Sequence, residues 1–114
     1  MCEKGFNVIT TPWGTIAEDK LNRNADASQA MIVLDPGKEK GPEFHKKTTE
    51  VFEVIFGVGY IKFPELTTSL NVGNMIRVNP WTKYSIGTND IEPFCLLATL
   101  TPPFDPDDQF ETEF

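Results

Sequence analysis

Hydrophobic and β-branched residues occur in short runs along this chain, and each run is bounded by Gly, Pro, Asn or Asp. Runs of this length, rich in Val, Ile, Phe, Thr and Tyr, are typical of short strands that follow one another at regular spacing. Such spacing predicts a β-sandwich or a β-barrel. The predicted strands are 6–11, 29–34, 51–56, 60–63, 70–72, 75–78, 84–86 and 92–100.

Turn chemistry separates these strands. The segment 35–37 reads Asp-Pro-Gly and ends the second strand. The charged segment 38–41 predicts an exposed loop, and Gly57-Val58-Gly59 predicts a tight antiparallel hairpin into the next strand. Residues 17–26 are polar and lack an apolar stripe, so we expect a loop or a single turn of helix there.

The length of 114 residues fits one domain, and the sequence has no internal repeat and no linker. We assign residues 1–114 to a single domain with a core over about 27–101. Residues 102–114 are expected to be an acidic, partly disordered tail without regular structure, because Pro removes the donors of a strand ladder. Phe104 is the residue expected to anchor this tail to the domain. The acidic residues 105–108 lack the spacing and the glycine of a calcium loop.

The charge of the chain restricts its partners. Ten Lys and Arg against 17 Asp and Glu give a formal net charge of −7. Nucleic acids and anionic membrane surfaces attract basic patches, so we expect neither as a partner. A hydrophobic share of 39% is typical of a globular protein, and no run approaches the roughly 20 apolar residues of a membrane span.

The two cysteines are relevant to whether the protein occupies a reducing or an oxidising cellular compartment. Cys2 lies at the N-terminus and Cys95 in an apolar run. Residues 1–5 show no basic segment followed by an apolar one, so a signal peptide is not predicted. A reduced, cytoplasmic chain is therefore expected rather than a disulfide-bonded one.

The spacing of glycines around the single histidine carries the main functional signal. Gly37 is followed by five residues, the segment Glu43–His45, four residues, Glu50, six residues and Gly57. This arrangement resembles the first motif of the cupin family, in which a His-x-His pair precedes a Glu within the same glycine frame. In this sequence Glu43 stands in the place of the first His.

A second segment follows the same family pattern. Fifteen residues, 58–72, separate the two segments, and a second frame begins at Gly73. Trp81 occupies the position of a turn glycine, and Tyr84 occupies the position of the third cupin His. The resemblance covers 30–100 and implies a small all-β cupin barrel, also described as a double-stranded β-helix or jelly roll.

The resemblance also implies a site. In cupins two His, a Glu and a third His point into the barrel and bind a divalent metal, and the matching positions here are Glu43, His45, Glu50 and Tyr84. Residues two apart on a strand share a face, so Glu43 and His45 should both face inward. This oxygen-rich set suits Mn or Fe better than Zn, and Mn, Fe, Ni and Zn are the candidate metals. Another register, with His45 first and Lys47 second, breaks the spacing.

Several functions stay open at this point. A bound metal would serve oxygenase, isomerase or lyase chemistry on a small oxygenated molecule such as a sugar or an organic acid. Without metal, His45 as base and Tyr84 as acid, beside Glu50, would transfer protons as in the epimerases of this family. The site could instead belong to a binding module, or to a dimerisation barrel such as the C-terminal domain of centromere protein C. A homodimer is expected in each case, because open sheet edges need covering.

Three further side chains have expected roles. Trp13 is expected to be structural. Trp81 is expected to act as a lid over the barrel mouth or as a dimer contact. Lys46 and Lys47 are expected to be solvated.

Overall fold

A computed structural model describes residues 5–114, so the predictions for Cys2 and for the start of the chain lie outside the described residues. Within 5–114 no helix has both the length and the apolar character needed to cross a membrane. Apart from a 3₁₀ turn at Pro106–Asp108, the regular elements of this part of the chain are strands. They are β1 (Phe6–Thr11), β2 (Gly14–Asp19), β3 (Ser28–Leu34), β4 (Glu39–Phe44), β5 (Thr49–Phe56), β6 (Gly59–Phe63), β7 (Leu66–Leu70), β8 (Met75–Val78), β9 (Tyr84–Gly87), β10 (Phe94–Thr101) and β11 (Phe110–Glu111).

The strands form two antiparallel sheets that face each other. One sheet has the order β1-β2-β3-β10-β5-β8, and the other has the order β11-β4-β9-β6-β7. The chain therefore has the predicted all-β class. Strand neighbours are mostly distant in sequence, as the pairing of β10 with both β3 and β5 illustrates.

Alternation along the strands produces the core between the sheets. On β10 every second residue from Phe94 to Leu100 is buried, and the residues between them are half-buried. Strand β5 alternates in the same way until its last two residues, Ile55 and Phe56, which are exposed. This period of two is what a strand with one buried face requires. The buried apolar core comprises Ile32, Leu34, Phe52, Val54, Ile61, Leu70, Val78, Tyr84, Ile86, Phe94, Leu96, Ala98 and Leu100.

Two predicted connections were wrong. The segment 38–41 is not an exposed loop, because most of it belongs to β4 and Lys40 is only 5% exposed. Gly57-Val58-Gly59 is not a hairpin, because β5 and β6 lie in different sheets. Both edges of β5 are already paired, with β10 and β8, so the chain has to cross to the facing sheet.

Residues 17–26 were also predicted wrongly in part. The first of them complete β2, which pairs with β1 on one side and with β3 on the other. The polar composition misled the prediction because the side chains of β2 are only half-buried beyond Gly14. The remainder is irregular, and Asp19 Oδ1 accepts hydrogen bonds from the backbone N–H of Leu21 and Asn22.

The C-terminal segment is more regular than predicted. It contains the 3₁₀ turn and β11, which pairs with β4 through Phe110 and Phe44. The expected anchor is present, since Phe104 packs against the core and its backbone N–H donates to Ser28 Oγ at 2.8 Å. Trp13 also packs against the core, as predicted for a structural residue.

Candidate functional site

A bulge in β4 turns two charged residues toward the barrel interior. Residues three apart on a regular strand face opposite sides, yet Lys40 and Glu43 are both 5% exposed. The register with β9 shifts between them: Lys40 pairs with Ile86 and Glu43 with Tyr84, so β4 has one extra residue over this stretch. Gly41 permits this bulge, because its φ is +99° and a Cβ atom there would lie 2.8 Å from the carbonyl oxygen of Tyr84.

The four residues assigned to the site from the sequence come together. Glu43 lies on β4, His45 directly after β4, Glu50 on β5 and Tyr84 on β9. None is more than 5% exposed. The Tyr84 hydroxyl donates to Glu50 Oε1 at 2.6 Å and lies 3.3 Å from Glu43 Oε2. Nδ1 of His45 is 4.0 Å from Glu50 Oε1, which is longer than a hydrogen bond.

Sequence reasoning missed two members of this cluster. Lys40 donates through Nζ to Glu43 Oε1. Gln109, in the C-terminal segment, donates through Nε2 to Glu43 Oε2 at 3.0 Å. The one signal for Lys40 was the Gly-Pro pair that separates it from Glu43 and marks an irregular strand. No local sequence pattern indicates that Gln109 belongs to the site, because its partner Glu43 lies 66 residues away in the sequence.

Burial and neighbouring charge set the protonation of the cluster. Burial raises the pKa of Glu50, and the negative charge of Glu43 adds to this, while Lys40, Tyr84 and His45 oppose it. Burial also raises the pKa of Tyr84 well above its usual value, and the two carboxylates act in the same direction. Tyr84 therefore stays a neutral phenol that donates hydrogen bonds. Buried groups with perturbed pKa values are typical of functional sites.

These charged groups form one end of a cavity whose other walls are largely apolar. The cavity has a volume of about 70 Å³ and opens to solvent. Tyr84 lies behind the two carboxylates and does not line the cavity. The lining residues are Ile9, Ile16, Glu18, Ser28, Gln29, Ala30, Ile32, Lys40, Glu43, His45, Glu50, Ala98, Leu100, Phe104 and Gln109.

Asp108 fixes the loop that follows His45. Its carboxylate is 4% exposed and accepts hydrogen bonds from the backbone N–H groups of Lys46, Lys47 and Thr48, and from the Thr48 hydroxyl at 3.0 Å. Burial alone would raise the pKa of Asp108, but these hydrogen bonds outweigh it and lower the pKa. The same segment brings Gln109 to Glu43. The C-terminal segment is therefore part of the site's framework.

Trp81 lies beside the site rather than over it. Its side chain is 66% exposed and stacks on Phe44, with 5.7 Å between the ring centroids. Its backbone N–H donates to the carbonyl oxygen of His45 at 2.6 Å, and its φ is +68°. Trp81 does not line the cavity, so the structure does not place it as a lid. Lys46 and Lys47 are exposed, as predicted.

The donor set fits a divalent metal poorly as it is arranged. Glu43 already binds the Lys40 ammonium, and a second cation there would meet repulsion at short range. The Tyr84 hydroxyl donates its proton to Glu50, so it is not arranged as a phenolate ligand. Among residues 5–114, no three His, Cys, Asp or Glu side chains are grouped as ligands for a metal ion.

Comparisons with known proteins agree with this architecture. No protein-family model matches the sequence, and no curated protein sequence is significantly similar to it. Among solved structures, the capsular polysaccharide assembling protein CapF from Staphylococcus aureus aligns over 96% of this chain with a TM-score of 0.81 and 18% identity. This chain spans 34% of the CapF chain, about a third of its length.

Two smaller proteins match over most of their own length. A double-stranded β-helix protein from Klebsiella pneumoniae aligns with 95% of this chain and 86% of its own, with a TM-score of 0.75 and 16% identity. Streptomyces Pac13, solved with uridine, aligns with 97% and 88%, with a TM-score of 0.79 and 15% identity. This chain has the fold of a cupin barrel. At these identities the likeness establishes the fold alone.

Proposed function

We propose that this cupin barrel binds a small oxygenated molecule in the cavity lined by Lys40, Glu43, His45 and Glu50, and that it transfers a proton there without a metal. One observation carries the proposal. A buried cluster of ionisable side chains faces a cavity whose remaining walls are largely apolar. A buried charge is costly unless it is paired, so a fold that served packing alone would gain from apolar residues at these positions.

The chemistry follows from the roles that the groups can take. Glu50, with its raised pKa, and the His45 imidazole are the groups able to exchange a proton with a ligand in the cavity. Lys40 supplies positive charge to an oxygen that becomes negative in the reaction. Tyr84 positions Glu50 through its hydrogen bond and does not itself line the cavity. This assignment moves the acid role predicted for Tyr84 to Glu50 or His45.

A ligand panel tests this proposal. Hydroxy acids, oxo acids, sugars and nucleosides would be screened by thermal shift, with nucleosides included because Pac13 is described as a nucleoside dehydratase. We expect a ligand that stabilises the wild type and loses about tenfold or more in affinity with His45→Ala or Glu50→Gln, since each removes a polar contact worth about 1.4 kcal/mol or more. The exposed control Lys47→Ala should bind as the wild type does. Equal affinity in all four proteins would contradict the proposal.

Binding without catalysis is the second candidate, and it rests on the two cupin ligand positions that hold Glu43 and Tyr84 instead of His. Product analysis by mass spectrometry on any ligand found separates the two candidates. Turnover that is abolished in His45→Gln while binding persists supports proton transfer. Binding without turnover in the wild type identifies a binding module.

The metal prediction has its own test. Metal content of the purified protein is measured by mass spectrometry, beside His45→Ala and Glu50→Ala. Our proposal expects no stoichiometric Mn, Fe, Ni or Zn in any of the three. A near-stoichiometric metal in the wild type, lost in both variants, would restore the site predicted at Glu43, His45, Glu50 and Tyr84.

We further propose that the barrel forms a homodimer through the open edge of β1. Within residues 5–114 this strand pairs with β2 alone, and it carries three exposed apolar side chains, Phe6, Val8 and Ile9. An open apolar edge of this kind favours pairing with a second chain. Light scattering should give the mass of a dimer at micromolar concentration, and Val8→Lys should give the monomer mass. A wild type that is monomeric under these conditions would refute the dimer.

A further inference from the structure

The charge balance of the cavity depends on one lysine. Glu43 and Glu50 lie close together in the barrel and are 5% and 4% exposed. Among residues 5–114, Lys40 is the one lysine or arginine that is buried. Two carboxylates at one buried site repel each other, and each has lost the stabilisation of water. A cation at this position offsets part of that cost.

The ammonium of Lys40 is held firmly in place. It donates to Glu43 Oε1 and lies 5.8 Å from the ring centroids of both Trp13 and Tyr84. Both ring faces attract a cation. Its positive charge also opposes the effect of burial on Glu50. The β4 bulge is what brings this side chain inside, because without the shifted register Lys40 and Glu43 would face opposite sides.

We propose that the Lys40 ammonium takes the place of a divalent metal ion in this cavity, binding Glu43 beside Glu50 and offering its free N–H donors to a carboxylate or carbonyl oxygen of the ligand. An ammonium has three N–H donors, and Glu43 uses one of them. Lys40 lines the cavity, so the others can reach a ligand there. The inference concerns the same cavity as the proposed function, but its test requires no organic ligand.

The test removes the charge of Lys40 and adds metal. Lys40→Met keeps the aliphatic stem, and Lys40→Gln keeps a donor for Glu43. Lys38→Met, two residues away and exposed, is the matched control. Melting temperatures are measured with and without Mn²⁺ or Ni²⁺, and metal stoichiometry is measured by calorimetry. The variants are also refolded with and without each metal.

The expected results separate Lys40 from the control. The wild type and Lys38→Met bind no metal, and their melting temperatures do not change when it is added. Lys40→Met melts about 10 °C or more below the wild type, because it removes the cation paired with Glu43 and leaves the repulsion between two buried carboxylates. Saturating Mn²⁺ or Ni²⁺ restores about 5 °C or more of this loss and binds with a stoichiometry near one per chain.

Every other outcome is informative. Folding of the neutral Lys40 variants only when metal is present supports the proposal as strongly as a rescued melting temperature does. Neutral variants that gain no metal binding, or that fail to refold with and without metal, overturn it, since Lys40 would then be an ordinary structural ion pair. Stoichiometric metal in the wild type also overturns it. None of these outcomes depends on whether the ligand panel yields a ligand.

Discussion

The hydroxyl of Tyr84 lies 2.6 Å from Oε1 of Glu50, and neither side chain is more than 4% exposed. This hydrogen bond to a buried carboxylate joins β9 of one sheet to β5 of the other. Hydrogen bonds to charged groups contribute more to stability than neutral ones, so this bond links the stability of the barrel to the protonation state of Glu50.

Replacing Tyr84 by Phe tests this link. The substitution leaves Glu50 without its main donor, so we expect the free energy of unfolding to fall by about 2 kcal/mol. Chemical denaturation at neutral pH measures the change. Tyr60→Phe is the control, because its hydroxyl also donates to a carboxylate, Glu39 Oε1 at 2.7 Å, but at a half-buried position. If both variants lose the same stability, burial of the Tyr84–Glu50 pair has no special effect.

Replacing Glu50 by Gln should make stability less dependent on pH. Burial raises the pKa of Glu50 in the folded state, so the folded protein holds the proton more tightly than the unfolded chain. The stability that this carboxyl contributes is complete below its unfolded pKa of about 4.3, and it is lost as the pH rises through the higher folded pKa.

At pH 7 the amide avoids the cost of the buried charge, so Glu50→Gln should be more stable than the wild type by about 1 kcal/mol. This advantage should vanish near pH 4. Thermal unfolding across that pH range measures it, with Glu53→Gln on the less buried face of β5 as the control. A Glu50→Gln protein that is less stable than the wild type at pH 7 would show that the carboxylate is fully compensated.

Asp108 should show the opposite dependence on pH. Its pKa is lowered in the fold by backbone N–H donors, despite its burial. The stability that it contributes is therefore present above its unfolded pKa of about 3.9, and it is lost as the pH falls through the lower folded pKa. Asp108→Asn should lose about 2 kcal/mol at neutral pH, since an amide cannot accept all four hydrogen bonds without turning a donor toward an N–H.

The loss for Asp108→Asn should shrink below about pH 4. Urea unfolding at neutral and acidic pH measures the difference. Asp107→Asn alters an exposed neighbour in the same 3₁₀ turn and should cost less than about 0.5 kcal/mol. An equal loss in the two variants would argue against Asp108 as the residue that holds the loop after His45.

Gly41 should tolerate substitution less well than another glycine of positive φ. Gly41→Ala places a Cβ atom 2.8 Å from a backbone carbonyl, whereas at Gly37, where φ is +73°, the space is open. Both variants bear the backbone cost of about 1 kcal/mol, and the clash should add about 2 kcal/mol or more at Gly41. Denaturation of both variants measures the difference, and equal losses would mean that the bulge relaxes freely.

The sequence by itself determined much of the barrel. Short runs of apolar and β-branched residues, bounded by turn residues, placed β1, β3, β5, β6, β8, β9 and β10 near their observed bounds. The glycine frame selected Glu43, His45, Glu50 and Tyr84, and the fold does bring these four side chains together.

Only the tertiary structure decided what surrounds these residues. The sequence around Lys40 predicts a solvated charge. Local composition does not show that a bulge in β4 turns this side chain inward, where it pairs with Glu43. The acidic C-terminal segment reads as irregular, because the donors that bind Asp108 lie about 60 residues away along the chain. The alternation of apolar and polar residues indicates which face of a strand is buried. Partners distant in sequence determine whether a charged side chain can be buried. In this barrel they place the Lys40 ammonium against Glu43, at a position where the sequence pattern predicted a metal ligand.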